Sequence, residues 1–234
     1  MDIKSIDLKS VDHVLTTTRA VRKRLDLDRP VEPEILKECI EIALQAPTGL
    51  IGETWHFLVV TDRDKRAQLA EVYRRAVEPY NAGREVPDQY LSMVANLPQD
   101  ERRQGQLKRL FESSAYFTEH IHEVPVLVVP CVKGRVETAG PGAQASLYAS
   151  IFPAVWSFQL ALRARGLGSA LTTVHIYYER EVAKLFNIPD DVTQAALLPV
   201  AYFKGSDFKP ARRLPGLART HWNMWGNASS AATT

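Results

Sequence analysis

The chain has 234 residues, 45% of them hydrophobic, which is enough to bury a core without disulfides or metals. Its 29 basic and 27 acidic residues leave a net charge of +2, so it lacks the global field of a nucleic-acid-binding protein. The two cysteines have no metal-binding spacing, and no export signal or membrane span is evident. We therefore expect a soluble, cytoplasmic protein without a metal site.

Apolar spacing predicts alternating helices and strands in the first half of the chain. A helix is expected from Glu34 to Ala46, then a buried strand at 56–61 and a helix at 65–76 that Asp62 can cap. The segment 79–122 is polar at first and contains prolines, so it is interpreted as a variable excursion, or lid, that ends in a helix.

The second half of the chain begins with a nearly continuous β-branched run at 124–129. Such a run is typical of a strand buried on both faces, at the centre of a sheet. The remaining elements are expected to be a helix at 145–165, a strand at 168–174, a helix at 179–186 and a last strand at 194–203. The helix at 145–165 is apolar almost all round, which indicates burial in the core or in a subunit interface.

The chain shows no internal repeat and is interpreted as one domain spanning 1–234. Residues 205–227 hold prolines and tryptophans without periodicity and form a C-terminal extension. Residues 228–234 are expected to be disordered.

A cluster of cations lies near the N-terminus. Arg19, Arg22, Lys23 and Arg24 fall within six residues, which suggests a site for a doubly charged anion such as phosphate. A solvated basic turn is the alternative. A second basic cluster at 209–215 would meet the first across one anion if the tail wraps back over the sheet.

Two glycine-bearing segments have different meanings. The loop from Ala46 to Trp55 breaks a helix at a proline and lets the backbone approach a flat ligand closely. Gly166 follows a helix and precedes a strand, the reverse of a dinucleotide-binding loop, so a helix cap explains it. His56 and His175, at strand ends, are expected to be hydrogen-bonded structural residues.

Taken in order, four motifs resemble the FMN-dependent nitroreductase family, whose members share R-S-x-R, A-P-S-x-x-N-x-Q-x-W, G-L-G-[ST] and a late R-[RK]-P. The matching segments are 19–22, 46–55, 166–173 and Arg212-Arg213 with Pro215. The resemblance covers nearly the whole chain. It implies an α+β fold, a three-layer α/β/α sandwich with a central mixed sheet, and an intertwined homodimer with shared sites.

The resemblance also implies roles for individual residues. Arg19 and Arg22 would reach the flavin phosphate and the N1/O2 edge, Thr172 and Thr173 would lie near N5/O4, and Arg213 would close on the phosphate. Arg22 and Thr173 are the expected catalytic residues. The predicted cofactor contacts are Arg19, Ala20, Val21, Arg22, Pro47, Thr48, Gly49, Ser150, Ile151, Pro153, Gly168, Leu171, Thr172, Thr173, Arg212 and Arg213, with Ser150, Ile151 and Pro153 coming from the partner subunit.

The chain departs from the family pattern at three positions. Ala20 replaces a serine and removes one hydroxyl donor, which costs about 1 kcal/mol of phosphate binding that the flanking guanidiniums can absorb. Ile51 replaces an asparagine and Glu53 replaces a glutamine in the second motif. The last two changes alter the loop that sets acceptor specificity.

By resemblance, the expected function is an FMN-dependent NAD(P)H oxidoreductase. It would reduce nitroaromatic or quinone-like acceptors by ping-pong hydride transfer through flavin N5, with Arg22 stabilising the reduced anion. Three alternatives stay open: a reductive dehalogenase-like enzyme, because the Thr172-Thr173 pair resembles the deiodinase branch; a flavin-consuming enzyme; and a non-catalytic FMN-binding protein. The sequence leaves the acceptor and the choice between NADH and NADPH open.

Overall fold

A computed structural model describes residues 6–49, 54–82, 101–213 and 215–227, with the side chains of 101–103 excluded. Several sequence expectations fall outside these residues. They are the replacements at Ile51 and Glu53, the middle of the excursion at 83–100, and the disorder of 228–234.

The chain divides into two compact units, Met1–Thr17 with Asp207–Thr234, and Thr18–Ser206. The first unit contains helix α1 (Leu8–Thr17) and a 3-10 turn at Gly216–Arg219, and His13 Nε2 lies 2.7 Å from Asp207 Oδ2. This unit holds most of the expected C-terminal extension. The single domain expected at 1–234 stays a prediction.

The second unit carries the sheet and the remaining described helices. The helices are α2 (Pro33–Ala43), α3 (Arg63–Asn81), α4 (Glu101–His120), α5 (Pro141–Ala164) and α6 (Glu179–Phe186). The strands are β1 (Trp55–Val60), β2 (Val126–Lys133), β3 (Leu167–Ser169), β4 (Val192–Gln194) and β5 (Leu198–Tyr202). Short 3-10 helices cover Ile121–Glu123 and Val174–Tyr178.

The five strands form one sheet in the order β1-β2-β5-β3, with β4 also paired to β2. All four pairings between these strands are antiparallel, which corrects the expected mixed sheet. The reason is topological: β2 and β3 run in the same direction, but β5 lies between them and pairs antiparallel with both. The parallel pairing that does occur is an isolated bridge between Ala20 and Ser169.

The expected last strand at 194–203 is broken in two at a bulge opposite Pro130. Cys131 pairs with Gln194 and Val128 pairs with Leu198, so three residues of one strand face two of the other. The Pro130 carbonyl accepts from the Ala195 amide (2.8 Å), but proline has no N–H to return. The ladder is therefore interrupted here, and residues 195–197 leave the regular pairing.

Strand β2 is buried along all but its last residue, as the sequence predicts. Val126, Val128 and Val132 pack in one core cluster with residues of α2 and α5, including Ile151 and Phe158. Successive strand side chains point to opposite faces, and the intervening residues are buried as well. Other parts of the chain therefore cover both faces of the sheet, as a three-layer arrangement requires.

Most predicted elements are confirmed with shifted ends. Helix α6 has the predicted bounds, and Asp62 caps α3 by accepting from the Lys65 amide (2.8 Å). Gly166 follows α5 with φ +77, the left-handed conformation that favours glycine at a helix end. The strand expected at 168–174 covers Leu167–Ser169, Thr172 forms an isolated bridge with Leu197, and a 3-10 helix begins at Val174.

Within the part of the chain that the structure describes, α5 alone is long and apolar enough to cross a membrane by length and composition. Half of its most apolar window (50%) is buried inside the fold, and core helices of soluble proteins meet the same criterion. The feature is weak evidence for a membrane span.

Candidate functional site

A cavity of about 960 Å³ lies in the second unit, between the first motif, the third motif and the helices α3 and α4. Arg22, Leu171, Thr172 and Thr173 line it, all of them predicted site residues. The helices add aromatic and aliphatic side chains, including Tyr73, Tyr80, Leu110 and Phe111, and also polar and charged ones, including Arg74 and Glu119. The excursion expected to be a lid thus contributes described residues to the cavity.

Arg22 differs from the other cations of the N-terminal cluster. The guanidinium of Arg24 donates to the backbone carbonyls of Lys204 (2.8 Å) and Ser206, and Lys23 lies 3.8 Å from Glu112. Arg22 is half-buried at the cavity, and no hydrogen bond or ion pair joins its side chain to any residue in the described ranges. Arg22 is therefore available to a ligand in the cavity.

The first and third motifs are joined through the backbone. The Val21 amide donates to the Ser169 carbonyl (2.8 Å), next to the bridge between Ala20 and Ser169. A Cβ on Gly168 would lie 2.9 Å from Val21 Cβ, closer than side-chain atoms tolerate. The glycine of the third motif is therefore required for the approach of the first, which places Arg22 beside the cavity.

Thr172 is held at three points. Its amide donates to the Leu197 carbonyl (3.0 Å), and the Leu197 amide donates to the Thr172 carbonyl (2.8 Å). Leu197 is free for this exchange because the bulge opposite Pro130 takes it out of the ladder. The Thr172 hydroxyl lies 3.1 Å from the Tyr73 hydroxyl and 3.4 Å from the Val174 amide, from which it accepts.

Tyr73 is nearly buried and packs edge-on against Phe117, with ring centroids 5.4 Å apart. Burial raises the pKa of its phenol, while the contacts with Thr172 and Arg22 act in the opposite direction. Its hydroxyl therefore stays protonated near neutral pH.

Predicted residues of the second motif gather around Ser150 on α5. The Trp55 indole N–H donates to Ser150 Oγ (2.7 Å), and Thr48 Oγ1 lies 3.5 Å from the same atom. Ile151 is fully buried and offers no surface in the described subunit, whereas Pro153 is half-buried. Their roles as contacts to a ligand of the partner subunit stay predictions, as do those of the exposed Pro47 and Gly49.

Arg212 and Arg213 belong to the unit formed by the two chain ends, and the cavity belongs to the other unit. The roles of these two arginines at a phosphate therefore stay predictions. Arg19, whose guanidinium donates to the Thr18 carbonyl (2.7 Å), lies next to the first motif's bridge.

A buried polar cluster lies on the far end of β2 and was missed by the sequence analysis. Arg135 donates through both terminal nitrogens to the Glu179 carboxylate (2.8 Å each). The backbone N–H of Gln194 donates to the same carboxylate (3.0 Å). The residues are far apart in sequence, so no local spacing signals the contact.

His175 corrects a sequence expectation. The prediction was a hydrogen-bonded structural histidine, but both ring nitrogens are buried and have no hydrogen-bond partner in the described part of the chain. Burial lowers its pKa to about 4, with a smaller opposing effect from Glu179. Glu179 is already bound by Arg135, which explains why it does not pair with the imidazole.

Tyr73 was not among the predicted site residues, because its partner Thr172 is distant in the chain. The one indication in the sequence was the residue type of Tyr73, because a tyrosine on the apolar face of a helix needs a hydrogen-bond partner for its hydroxyl.

Comparisons with known proteins identify the family and the fold. An iodotyrosine deiodinase from Thermotoga neapolitana is 25% identical over 190 residues, covering 80% of this chain and 86% of the relative. A protein from Methanothermobacter thermautotrophicus, provisionally named NADH dehydrogenase/NAD(P)H nitroreductase, is 23% identical over 192 residues, covering 80% and 74%.

A solved structure of oxidised iodotyrosine deiodinase bound to FMN and 3-iodo-L-tyrosine has a TM-score of 0.61 at 24% identity, covering 88% of this chain and 96% of that chain. At that identity the likeness concerns the fold. Residues 15–202 match the Nitroreductase family, which is most of the chain. The protein therefore belongs to the nitroreductase family.

Proposed function

We propose that the protein is an FMN-dependent NAD(P)H oxidoreductase that reduces nitroaromatic or quinone-like acceptors. The observation that carries this proposal is that the Arg22 guanidinium, which no described residue pairs, lies beside a cavity that Thr172 and Thr173 also line. A cation left without a carboxylate at a half-buried position is best explained by an anionic ligand.

The residues present fit FMN. When bound, FMN supplies two-electron hydride chemistry. Arg22 would stabilise the negative charge that reduction leaves on the N1/C2=O edge of the ring. The absence of a side chain at Gly168 makes room for the Val21 side chain, so the first motif packs directly against the third. Thr173 stays the second predicted catalytic residue.

The rest of the cavity suits a flat acceptor. Tyr80, Leu110 and Phe111 offer apolar surface against which an aromatic ring can pack. A volume of about 960 Å³ is at the upper end for a small-molecule site. Reduced nicotinamide and acceptor would occupy it in turn, so we expect ping-pong kinetics.

The purified protein tests this proposal directly. It should be yellow, with flavin absorption bands, and should oxidise NADH or NADPH only when a nitroaromatic compound or a quinone is added. A colourless protein that gains no flavin spectrum on addition of FMN would contradict the proposal. Flavin binding without acceptor-dependent oxidation would favour the non-catalytic alternative.

Reductive dehalogenation is the second candidate, and the similarity to iodotyrosine deiodinases favours it. Such an enzyme would replace a carbon–halogen bond by carbon–hydrogen and release halide. Incubation with a halophenol and a chemical reductant separates the two activities. Stoichiometric halide release supports dehalogenation, and its absence with rapid nitro reduction supports the first proposal.

We also propose that the working unit is a homodimer with shared sites. Trp156 on α5 is 45% exposed, although the helix around it is apolar. Exposed apolar side chains also occur in the other unit, where Trp225 is 91% exposed. Soluble monomers rarely expose so many large apolar groups.

A charge at Trp156 tests the dimer. Trp156→Glu should give a monomer in light scattering and release FMN if the site is shared. Lys108→Glu, an exposed change on α4, is the control for added charge and should leave the dimer intact. A wild-type monomer of about 26 kDa that holds FMN would overturn the shared site.

A further inference from the structure

The pair Tyr73–Thr172 connects helix α3 to the third motif inside the cavity. The two hydroxyl oxygens lie 3.1 Å apart, and both residues line the cavity. Neither the position of Tyr73 nor the contact follows from the four sequence motifs. The contact is also chemically restrictive, because a hydroxyl has one proton and two lone pairs.

The contact with Tyr73 determines where the Thr172 hydroxyl can donate its proton. Its Oγ1 accepts from the Val174 amide (3.4 Å) through one lone pair. The phenol of Tyr73 is more acidic than an aliphatic hydroxyl, so it is the better donor of the pair. When Tyr73 donates, both lone pairs of Thr172 are used. The single proton of Thr172 then has no acceptor among the described residues and is left for a ligand in the cavity.

We propose that Tyr73 is a positioning residue, whose phenol commits the Thr172 hydroxyl proton to an acceptor atom of the ring system bound in the cavity. This inference rests on the proposed function, because it needs FMN in the cavity. Tyr73 acts through Thr172 and need not touch the cofactor.

The surrounding contacts support a fixed geometry. The Tyr73 ring is held by Phe117, and the Thr172 backbone is held by both hydrogen bonds to Leu197. The neighbouring Thr173 is exposed, and no described residue holds its hydroxyl. Of the two threonines, Thr172 is the one that the fold orients before a ligand binds.

A double-mutant cycle tests the inference. Tyr73→Phe keeps the ring and its contact with Phe117, while Thr172→Val removes the hydroxyl. We expect each single variant to weaken FMN binding to the apoprotein about fivefold, the loss of one hydrogen bond. The double variant should be no weaker than Thr172→Val alone, because Tyr73 acts only through Thr172. The midpoint potential of the bound flavin should shift in the same non-additive way.

Two further variants make the test specific. Thr172→Ser keeps a hydroxyl, so Tyr73→Phe should weaken binding about fivefold in this background as well. Tyr116→Phe removes a phenol from α4 outside the cavity lining and controls for the loss of a tyrosine hydroxyl. We expect it to leave the FMN dissociation constant unchanged.

The outcomes separate the inference from the proposed function. A wild-type protein that binds no FMN overturns both. A wild-type protein that binds FMN, with additive effects of Tyr73→Phe and Thr172→Val, overturns the positioning role and leaves the proposed function standing. The positioning role would also be overturned if Tyr73→Phe weakened FMN binding by the same factor in the wild-type and Thr172→Val backgrounds. The phenol would then act independently of Thr172.

Discussion

Arg135 and Arg22 are both partly buried, yet their surroundings are opposite. The Arg135 side chain is 21% exposed and binds both oxygens of Glu179, whose side chain is 13% exposed. Arg22 lines the cavity, and no ion pair joins it to a carboxylate in the described part of the chain. The structural charge of Arg135 is neutralised by a carboxylate of the same fold. The difference supports the proposal that Arg22 binds an anionic ligand.

The largest expected effect comes from breaking the paired region. Glu179→Ala should lower the free energy of unfolding by about 2 to 3 kcal/mol, because it removes two charge-assisted hydrogen bonds from the partly buried Arg135, which keeps its ion pair with the more exposed Glu137. Urea denaturation measures the loss. Glu181→Ala, on the same helix, breaks a more exposed pair with Arg75 and should cost at most about 1 kcal/mol. Equal losses would show that burial of the pair is unimportant.

His175 extends the comparison to a buried group with no partner. Its pKa is about 4 in the folded protein, against 6.5 for an ordinary histidine. Between these pH values the unfolded chain binds more protons, so stability is full above pH 6.5 and falls as the pH drops towards 4. The loss attributable to His175 is roughly 3 kcal/mol at most.

Urea denaturation of wild type and His175→Phe at several pH values measures this contribution. The variant should show a shallower fall in stability between pH 6.5 and 4. His56→Asn, a change at an exposed histidine, should keep the wild-type slope. An unchanged slope in His175→Phe would mean that the imidazole finds a partner when protonated.

Arg22→Ala tests the open region. Because Arg22 has no hydrogen-bond or ion-pair partner among the described residues, we expect stability close to wild type but FMN binding weaker by about 10- to 100-fold, with slower flavin reduction. Arg24→Ala is the matched comparison, since Arg24 binds backbone carbonyls and should affect stability more than affinity. An Arg22 variant with full flavin occupancy and wild-type rates would refute the assignment.

The smallest and most selective effect is expected at Arg213. Arg213→Ala should weaken FMN binding more than riboflavin binding, because the proposed partner is the phosphate. Isothermal titration of the apoprotein with each ligand measures the two affinities. Equal losses for FMN and riboflavin would exclude a phosphate contact and leave Arg22 as the main cation of the site.

The parts of the fold and site that sequence predicts well are those with local causes. Periodicity located α6, a helix break located Gly166, and a β-branched run identified β2 as central. The bulge opposite Pro130 was not predicted, because the proline lies in β2 and the strand that it interrupts is the later segment 194–203. Tyr73 and Arg135 were missed for the same reason, since their partners Thr172 and Glu179 become neighbours only after folding.

The antiparallel sheet was missed for a related reason. The resemblance implied a mixed sheet, and the direction of each strand relative to its neighbour depends on the insertion of β5 between β2 and β3. That insertion brings together three strands that are well separated in the sequence. No local pattern records it.

The central position of β2 has a consequence for biosynthesis. Strand β2 pairs with β1, which is made before it, and with β4 and β5, which are made long after it. On the ribosome, one edge of this apolar strand therefore stays open until β5 has emerged. Nascent chains stalled before β4 should present an edge that recruits strands from other molecules. Chaperone demand should therefore peak during synthesis of α5 and α6, and fall once the last strand closes the sheet.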